Sequence, residues 1–365
     1  MFATKIAAAA LTLESSAGFA SAIDALAERS LSGRGFLRAA WFGAGAAGKG
    51  RTLIVRRDSG SMIAAIPTTG FGPTPLVTAV LGARKVPGSY WPFRGIQLAQ
   101  DTDAFELAAA LRHPAARSLG RVWRLGPARS DDPSTVMLVE AAQLAGWHVL
   151  SRPAGTAWLI DCDALRAKGW PQSSTARRLR TAWRKLEALG TPRWRHVRGS
   201  AWNDSVLDDM GRIEAASWIA RTTDGSGAKF MRPHQRQVWR EALTDPVIAA
   251  NLAATILMLD DRPVAFSFDL HDGAWQYGIA ASYAEDLANC NIGKLVNYKV
   301  LEDAIADGRS VMDMGTGDSG YKRAMGAYAG YDLADLLFVR SRTAARVLAR
   351  IWGKAATGGS ATRNG

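Results

Sequence analysis

The chain has 365 residues, room for two domains at roughly 150 residues each, and 48% of it is hydrophobic with only 14 prolines, which argues for packed globular domains rather than disorder. No apolar run approaches the ~20 residues that span a bilayer, and two cysteines, Cys162 and Cys290, supply neither a disulfide framework nor zinc spacing, so a cytoplasmic location is the default expectation. A net charge of +12 invites polyanionic partners, but the excess is local: residues 166–198 hold ten Lys/Arg against one acid, Glu187.

The first residues, MFATKIAAAALTLESSAGFASA, offer Lys5, an Ala-rich core and an Ala20-Ser21-Ala22 end in the manner of a signal peptide, but Glu14 interrupts the core. The plainer expectation is a strand leading into an amphipathic helix at 17–28. Residues 52–55 and 62–66 predict a hairpin around the charged turn 56–60. A helix follows at 103–112 with apolar Phe105, Leu107 and Leu111, then a strand at 122–125 and a helix at 134–145 closed by Gly146. Residues 147–150 and 158–160 predict strands, and a linker is expected near 161–173, which contains Gly169 and Pro171.

The segment TARRLRTAWRKLEALG predicts a helix with Ser174 as N-cap, Gly190 as C-cap and Pro192 blocking continuation. Ala176, Leu179, Ala182, Trp183 and Leu186 form its apolar stripe. Arg177, Arg178, Arg180, Arg184 and Lys185 lie opposite, as a solvated face or an anion-binding one. Residues 204–245 predict two helices, with Leu207, Met210, Ile213, Ala216 and Trp218 on one core face and Val238, Trp239 and Leu243 on the other. Their connection, RTTDGSGA, suits a loop over a site or an ordinary connector. Glu214 beside it is a general-base candidate or a surface residue. Strands are then expected at 251–259, 264–270 and 274–281, a helix from Gly293 to Ala306 closed by Gly308, and a strand at 310–314 ending in the loop 315–320 (GTGDSG). The pattern of apolar strand, charged turn and apolar strand thus occurs in both halves, which points to two similar α/β domains in tandem.

A helix that starts just after a strand end is a ready anion site, and Asn289, Asn291 and Gly293 stand at that place. The 315–320 loop has three glycines and Asp318 at a strand end, without Walker spacing. Asp318 is placed to accept a proton or position an amine, Tyr321 to donate one, and Lys322 to stabilise negative charge; a tight turn with a salt-bridged lysine is the structural alternative. Cys290 has no histidine partner in the pattern for covalent work, and the five histidines lack ligand spacing, so no metal is expected. Trp183, Trp194 and Trp202 amid basic residues suit either core packing, sugar contact or stacking on single-stranded nucleic acid.

The segments RRLRTAWRKLEALG, LMLDDRPVAFSF, NIGKLVNYKVLEDAIADG and MDMGTGDSGYKRAMG resemble the GNAT acyltransferases. They look most like the branch associated with cellulose and exopolysaccharide biosynthesis (CelD-like), which is akin to the FemAB aminoacyltransferases. The resemblance is best over 174–328; Gly35-Phe36-Leu37, Trp41 and AAQLAGWH extend it loosely over 36–162. It implies an α/β (α+β) fold of tandem GNAT-like domains, each a mixed twisted sheet flanked by helices. A degenerate domain is expected at 1–165, the acyltransferase domain at 174–345, and a flexible tail at 353–365. The co-substrate implied is acetyl-CoA or another acyl-CoA, with no metal. Its pantetheine arm would lie between strands 274–281 and 310–314, at Ile279 and Ala280, and its pyrophosphate at Asn289, Asn291, Gly293 and Lys294. The acceptor would be an amine or hydroxyl of a small molecule or saccharide near Arg177, Arg184, Gly315 and Gly317, with Asp318, Tyr321 and Lys322 catalytic. Most GNAT proteins present two or three small residues in the pyrophosphate loop, and this chain has Gly293 alone. That departure keeps an aminoacyl-tRNA donor as an alternative. A non-enzymatic basic protein, binding nucleic acid or polymer through 177–185, is the other.

Overall fold

The computed structural model of the chain describes residues 11–46, 50–71, 82–88, 94–225, 227–317 and 320–352. Residues 1–10, Asp318 and the tail expected at 353–365 lie outside the described residues. In chain order the elements are β1 (Leu11–Ala17), α1 (Ala22–Ala27), α2 (Ala39–Gly43), β2 (Arg51–Arg57), β3 (Met62–Gly70), β4 (Ala83–Lys85), β5 (Gln97–Leu98), α3 (Ala104–Arg112), β6 (Val122–Arg129), α4 (Pro133–Leu144) and β7 (His148–Asp161). Next come α5 (Cys162–Ala167), α6 (Ser173–Glu187), β8 (Pro192–Arg198), α7 (Asp204–Ala215), α8 (Trp218–Thr222), α9 (Pro233–Ala242), α10 (Pro246–Asn251), β9 (Leu252–Leu259), β10 (Arg262–Asp272) and β11 (Trp275–Tyr283). The chain continues through α11 (Ile292–Ala306), β12 (Val311–Thr316), α12 (Tyr321–Ala324), β13 (Tyr328–Val339) and α13 (Arg342–Trp352).

Two compact units result, one of Met1–Thr156 with Tyr331–Gly365, the other Ala157–Gly330. The chain therefore leaves the first unit inside β7 and returns to it inside β13. Residues from Tyr331 onward, placed by the sequence reading in a domain ending at 345, pack with the first unit because β13 pairs with β6 from Leu333↔Arg129 to Val339↔Val122. In that unit the strands order β1–β2–β3–β4–β6–β13–β7, and β4 and β6 run parallel. Its core includes Trp123 stacked on Phe338 at 4.4 Å and Trp41 set edge-on to Phe36 at 5.2 Å. Asp103 and Asp132 cap α3 and α4 by accepting first-turn N–H groups. Of the apolar residues of α3, Leu107 and Leu111 are buried and Phe105 is 74% exposed.

The second unit orders β7–β12–β11–β10–β9–β8, with β11 and β12 parallel. Period two in VAFSFDL divides its two faces. Phe266 and Phe268 pack with Phe230 and Trp239 on the side of α7 and α9, with ring centroids as close as 4.7 Å. Ala265 turns the other way, into a cluster with Leu186 of α6 and Ile292, Val296 and Leu301 of α11. Each such side chain removed from water contributes about 1.5–3 kcal/mol. Both units thus present a mixed α/β sheet flanked by helices, with antiparallel strands leading to one parallel pair.

Several expectations change. Helix α6 runs from Ser173 to Glu187, with Gln172 rather than Ser174 as N-cap, without a side-chain cap, and Ala188 rather than Gly190 as C-cap. The strands expected at 147–150 and 158–160 are one continuous β7, since Pro153 and Gly155 are tolerated in an extended strand. The two helices expected over 204–245 are three, and Trp218 begins the short α8 with its side chain 47% exposed. Strands β8 and β13 and helix α13 were not foreseen.

Candidate functional site

β11 and β12 pair only through Trp275–Val311, Gln276–Met312 and Tyr277–Asp313. Past those residues each strand continues, to Tyr283 and Thr316, without pairing to the other. Two irregularities sit at the split. The β10–β11 register shifts at Phe268/Asp269, which leaves Ile279 as an extra residue in β11, and the β12–β7 register shifts between Asp313 and Thr316. A bulge bends and twists the strand that carries it. On β12 the turn is made by Asp313, whose Oδ1 accepts the Gly315 N–H at 2.7 Å, and by Gly315 at φ +75°. Gly278 marks the fork: a Cβ there would lie 3.2 Å from the Asp313 carbonyl oxygen. Ile279 is buried and Ala280 half-buried along the open edge.

The segment after β11 aims a helix start at this opening. The Ala284 N–H bonds the Val264 carbonyl at 2.8 Å and the Glu285 N–H the Ala216 carbonyl at 3.1 Å, while the Arg221 guanidinium pairs with the Glu285 carboxylate. A 3-10 turn over Glu285–Cys290 leads to Asn291, which takes the left-handed conformation (φ 56°, ψ 34°) that Asn tolerates better than most residues, and α11 begins. The first N–H groups of a helix have no partner within it and carry its positive dipole end. Lys294 is exposed in that turn and has no ion pair among the described residues. Gly293 has a packing role: a Cβ there would stand 2.7 Å from Tyr283 Cδ1, so glycine lets α11 close on the tyrosine ring. Asn289 is exposed, and its carbonyl accepts from Lys185 Nζ of α6 at 3.4 Å. Cys290 is 3% exposed and lies in the core.

At the end of β12, Gly315, Gly317 and Gly320 all have positive φ (75°, 79° and 72°), the region that favours glycine. Tyr321 opens α12 and is 39% exposed, whereas Lys322 is 4% exposed. The Lys322 ammonium donates to the Gly315 and Thr316 carbonyls, each at 2.9 Å. Its charge thus holds the strand end in place, which makes it a positioning residue. Lys322→Met is expected to cost about 1–3 kcal/mol of stability, because two acceptors lose their donor; a denaturant midpoint equal to the parent's would show that the loop holds without it.

Helix α6 and helix α11 enclose a groove of about 500 Å³. Trp170 stacks on Tyr298 at 5.6 Å and Trp183 on Trp194 at 5.7 Å along its walls, and Arg180 and Arg184 line it without an acidic partner among the described residues. Arg177 does not line this groove and faces solvent. The arginines expected near the acceptor are therefore divided.

Two buried carboxylates depart from what the sequence suggests, Glu214 by its burial and Asp269 by not having been singled out. Glu214 is neither a surface residue nor free to act as a base: it is 1% exposed, and its carboxylate accepts the N–H groups of Lys229 (2.9 Å), Phe230 (2.6 Å) and Met231 (2.8 Å). Burial pushes its pKa up against the pull of those three donors. Asp269 lies on β10 opposite Gly278, 2% exposed, with its Oδ1 lacking a hydrogen-bond partner among the described residues. Burial raises it to about 7, although Ser267 and Gln276 favour the charged form. A charged residue inside an apolar strand, as in VAFSFDL and SVMDM, was the available signal for Asp269 and Asp313. Among the described residues no group of three or more His, Cys, Asp or Glu is arranged to hold a metal ion, and no helix is long and apolar enough to cross a membrane.

Residues 173–323 match the family described as acetyltransferase (GNAT) domain. No curated protein matches the chain. Among solved structures it is similar to the C-terminal domain (DUF2156) of a putative lysylphosphatidylglycerol synthetase from Agrobacterium fabrum, with TM-score 0.53, 13% identity, and 94% of this chain and 98% of that one covered. It is similar also to FemX (TM-score 0.53, 9% identity, 82% and 90% covered). A tandem GNAT protein from the clavulanic acid biosynthesis pathway compares at TM-score 0.50 and 13% identity, with 90% and 98% covered. At such identities the likeness is one of fold. The fold is GNAT-like.

Proposed function

We propose that the GNAT-fold segment matched over 173–323 is an acyltransferase that moves an acyl group from a CoA thioester to an amine or hydroxyl. The observation that carries this reading is the fork of the parallel pair at Gly278, which opens beside the start of α11. An extended pantetheine arm has there an unpaired strand edge, at Ile279 and Ala280, to bond as a strand would. The N–H groups of Ile292, Gly293 and Lys294, with the Lys294 ammonium, are oriented for a pyrophosphate, and Asn289 and Asn291 flank it. The acceptor attacks the thioester carbonyl, the C–S bond breaks as the new C–N or C–O bond forms, and the thiolate leaves with a proton. In this proposal Asp318 takes the acceptor's proton or positions its amine, Tyr321 protonates the thiolate, and Lys322 fixes the Gly315–Gly317 strand end against which they act. Arg184 meets an anionic or saccharide acceptor. The acceptor's place in cell-envelope or exopolysaccharide metabolism, the cytoplasmic location, and the first unit as a degenerate copy of the second rest on the CelD-like resemblance.

A second reading keeps the fold and changes the donor to aminoacyl-tRNA, favoured by Arg180 and Arg184 beside two stacked aromatic pairs. A thermal-shift comparison separates them. Acetyl-CoA or a longer acyl-CoA at ~100 times its dissociation constant adds about 2.7 kcal/mol to stability. Lys294→Glu, which reverses an exposed charge at no cost to the helix start, is expected to weaken acyl-CoA binding roughly 10- to 100-fold, the worth of a charge-assisted contact. Equal binding by the variant would remove the pyrophosphate from α11. A shift with aminoacyl-tRNA and none with any acyl-CoA would establish the second reading instead.

A further inference from the structure

The first unit has its own parallel pair, β4 and β6, joined through Ala83↔Val122, Arg84↔Trp123 and Lys85↔Arg124. Here too the parallel pairing ends early: the Val86 N–H still bonds the Arg124 carbonyl at 2.8 Å, after which β6 continues without β4, paired with β13 through a bulge at Gly126–Pro127. Where this pairing ends the charges do not balance. Arg124 grips the Asp335 carboxylate with two bonds, Nε to Oδ1 at 2.6 Å and Nη2 to Oδ2 at 2.8 Å, and Arg152 adds Nε and Nη2 to the same Oδ2 at 3.1 and 2.7 Å. Asp335 is 2% exposed, and Gly126 makes room for it, since a Cβ at Gly126 would lie 2.8 Å from Asp335 Oδ1. Two more cations complete the group. Arg94 has one bond, from Nη1 to the Gly126 carbonyl at 3.1 Å, and Lys85 has no side-chain partner among the described residues.

Among the described residues, four half-buried cations therefore cluster around one buried carboxylate, which Arg124 and Arg152 bind directly. Burial first, and then the neighbouring guanidinium of Arg124, lowers the pKa of Arg94; burial, Arg94 and Arg124 lower that of Lys85. Such an arrangement costs stability unless an anion completes it. The sequence offers none locally, because residues 72–81 and 89–93 on either side of β4 contain no Asp or Glu. A planar guanidinium fork beside an ammonium point charge suits the oxygens of a phosphoryl group.

We propose that Lys85 and Arg94, backed by the Arg124–Asp335–Arg152 ion group, form a second ligand site that binds a phosphate or diphosphate group where the β4–β6 pairing of the first unit ends. The site is separate from the acyl-donor reading of α11 and does not depend on it. Asp335 orients Arg124 and Arg152 and keeps the unliganded cluster from full mutual repulsion, while Lys85 and Arg94 supply the donors left for the ligand.

Calorimetric titration and melting temperature, with pyrophosphate and inorganic phosphate at fixed ionic strength, test this on the full chain. Lys294→Glu removes the anion site that the proposed function puts at α11; in that background pyrophosphate is expected still to bind, and adding Lys85→Met is expected to weaken this remaining binding at least ~10-fold. Without ligand, Lys85→Met is expected to melt no lower than the parent, since the lost charge has no partner among the described residues. ADP binding as tightly as pyrophosphate supports the site with a nucleotide diphosphate as its ligand, and pyrophosphate binding alone supports it with a free or differently esterified one. No saturable binding to the parent, equal binding with and without Lys85→Met in the Lys294→Glu background, or a lower melting temperature of ligand-free Lys85→Met would each overturn the proposal. Loss of pyrophosphate binding in Lys294→Glu but not in Lys85→Met would assign the anion to α11 instead.

Discussion

Glu214→Ala is expected to lower the unfolding free energy by about 3–5 kcal/mol, a large part of the stability of an ordinary domain. The carboxylate is 1% exposed and gathers three successive N–H groups, of Lys229, Phe230 and Met231. Truncation leaves those donors without a partner in a place water does not reach, and it loosens Phe230 from its edge-on contacts with Phe266 and Phe268. Glu214→Gln keeps the chain length and one acceptor oxygen, so its loss should be smaller. Denaturant unfolding with a common slope measures both; a loss under about 1 kcal/mol for the alanine variant would mean that the 229–231 segment is held by something else.

Asp269→Asn is expected to stabilise the protein at pH 8 by up to about 4 kcal/mol, the free energy of a pKa raised from 3.8 to about 7. The folded protein holds this proton more tightly than the unfolded chain does. Stability associated with the group is therefore full below the unfolded value of 3.8, falls as pH rises toward about 7, and stays low above it. Asparagine is neutral throughout and should flatten that fall. His271, lowered to about 4 by burial and by Arg309 and Arg198, slopes the other way between 4 and 6.5. The comparison of variant with parent at each pH largely removes its contribution. Parallel stability curves from pH 4 to pH 9 would show that Asp269 does not carry the proton.

Hydrophobic periodicity made much of this fold legible. The hairpin around residues 56–60, the helices at 104–112 and 292–306 and the strands of VAFSFDL all follow from local pattern, because each buries one face. What escaped shares a different cause. β8 (PRWRHVR) alternates basic and apolar residues on an edge strand and reads as a continuation of the basic stretch. β13 belongs with β6, some two hundred residues earlier, and no local signal announces such a partner. The site divides in the same manner. Gly315, Gly317 and Gly320 were legible as turn formers, and the start of α11 as a strand-to-helix junction. The burial of Glu214 and Asp269, and the tether from Lys322 to two carbonyls, depend on what other elements cover them.

Because the chain crosses between units inside β7 and β13, the two units differ in when they can be finished during synthesis. Residues 157–330 are contiguous and hold every strand of their sheet once they have emerged from the ribosome. The first unit has most of its strands far earlier, yet β13 belongs between β6 and β7, so those two wait with exposed edges until Tyr331 and the residues after it arrive. Closing so long a loop is entropically unfavourable by only a few kcal/mol, but it delays the pairing. Until then Arg124 and Arg152 also lack Asp335, and the nascent first unit is a cationic, open-edged intermediate. The second unit is built to mature first, although it begins later in the chain.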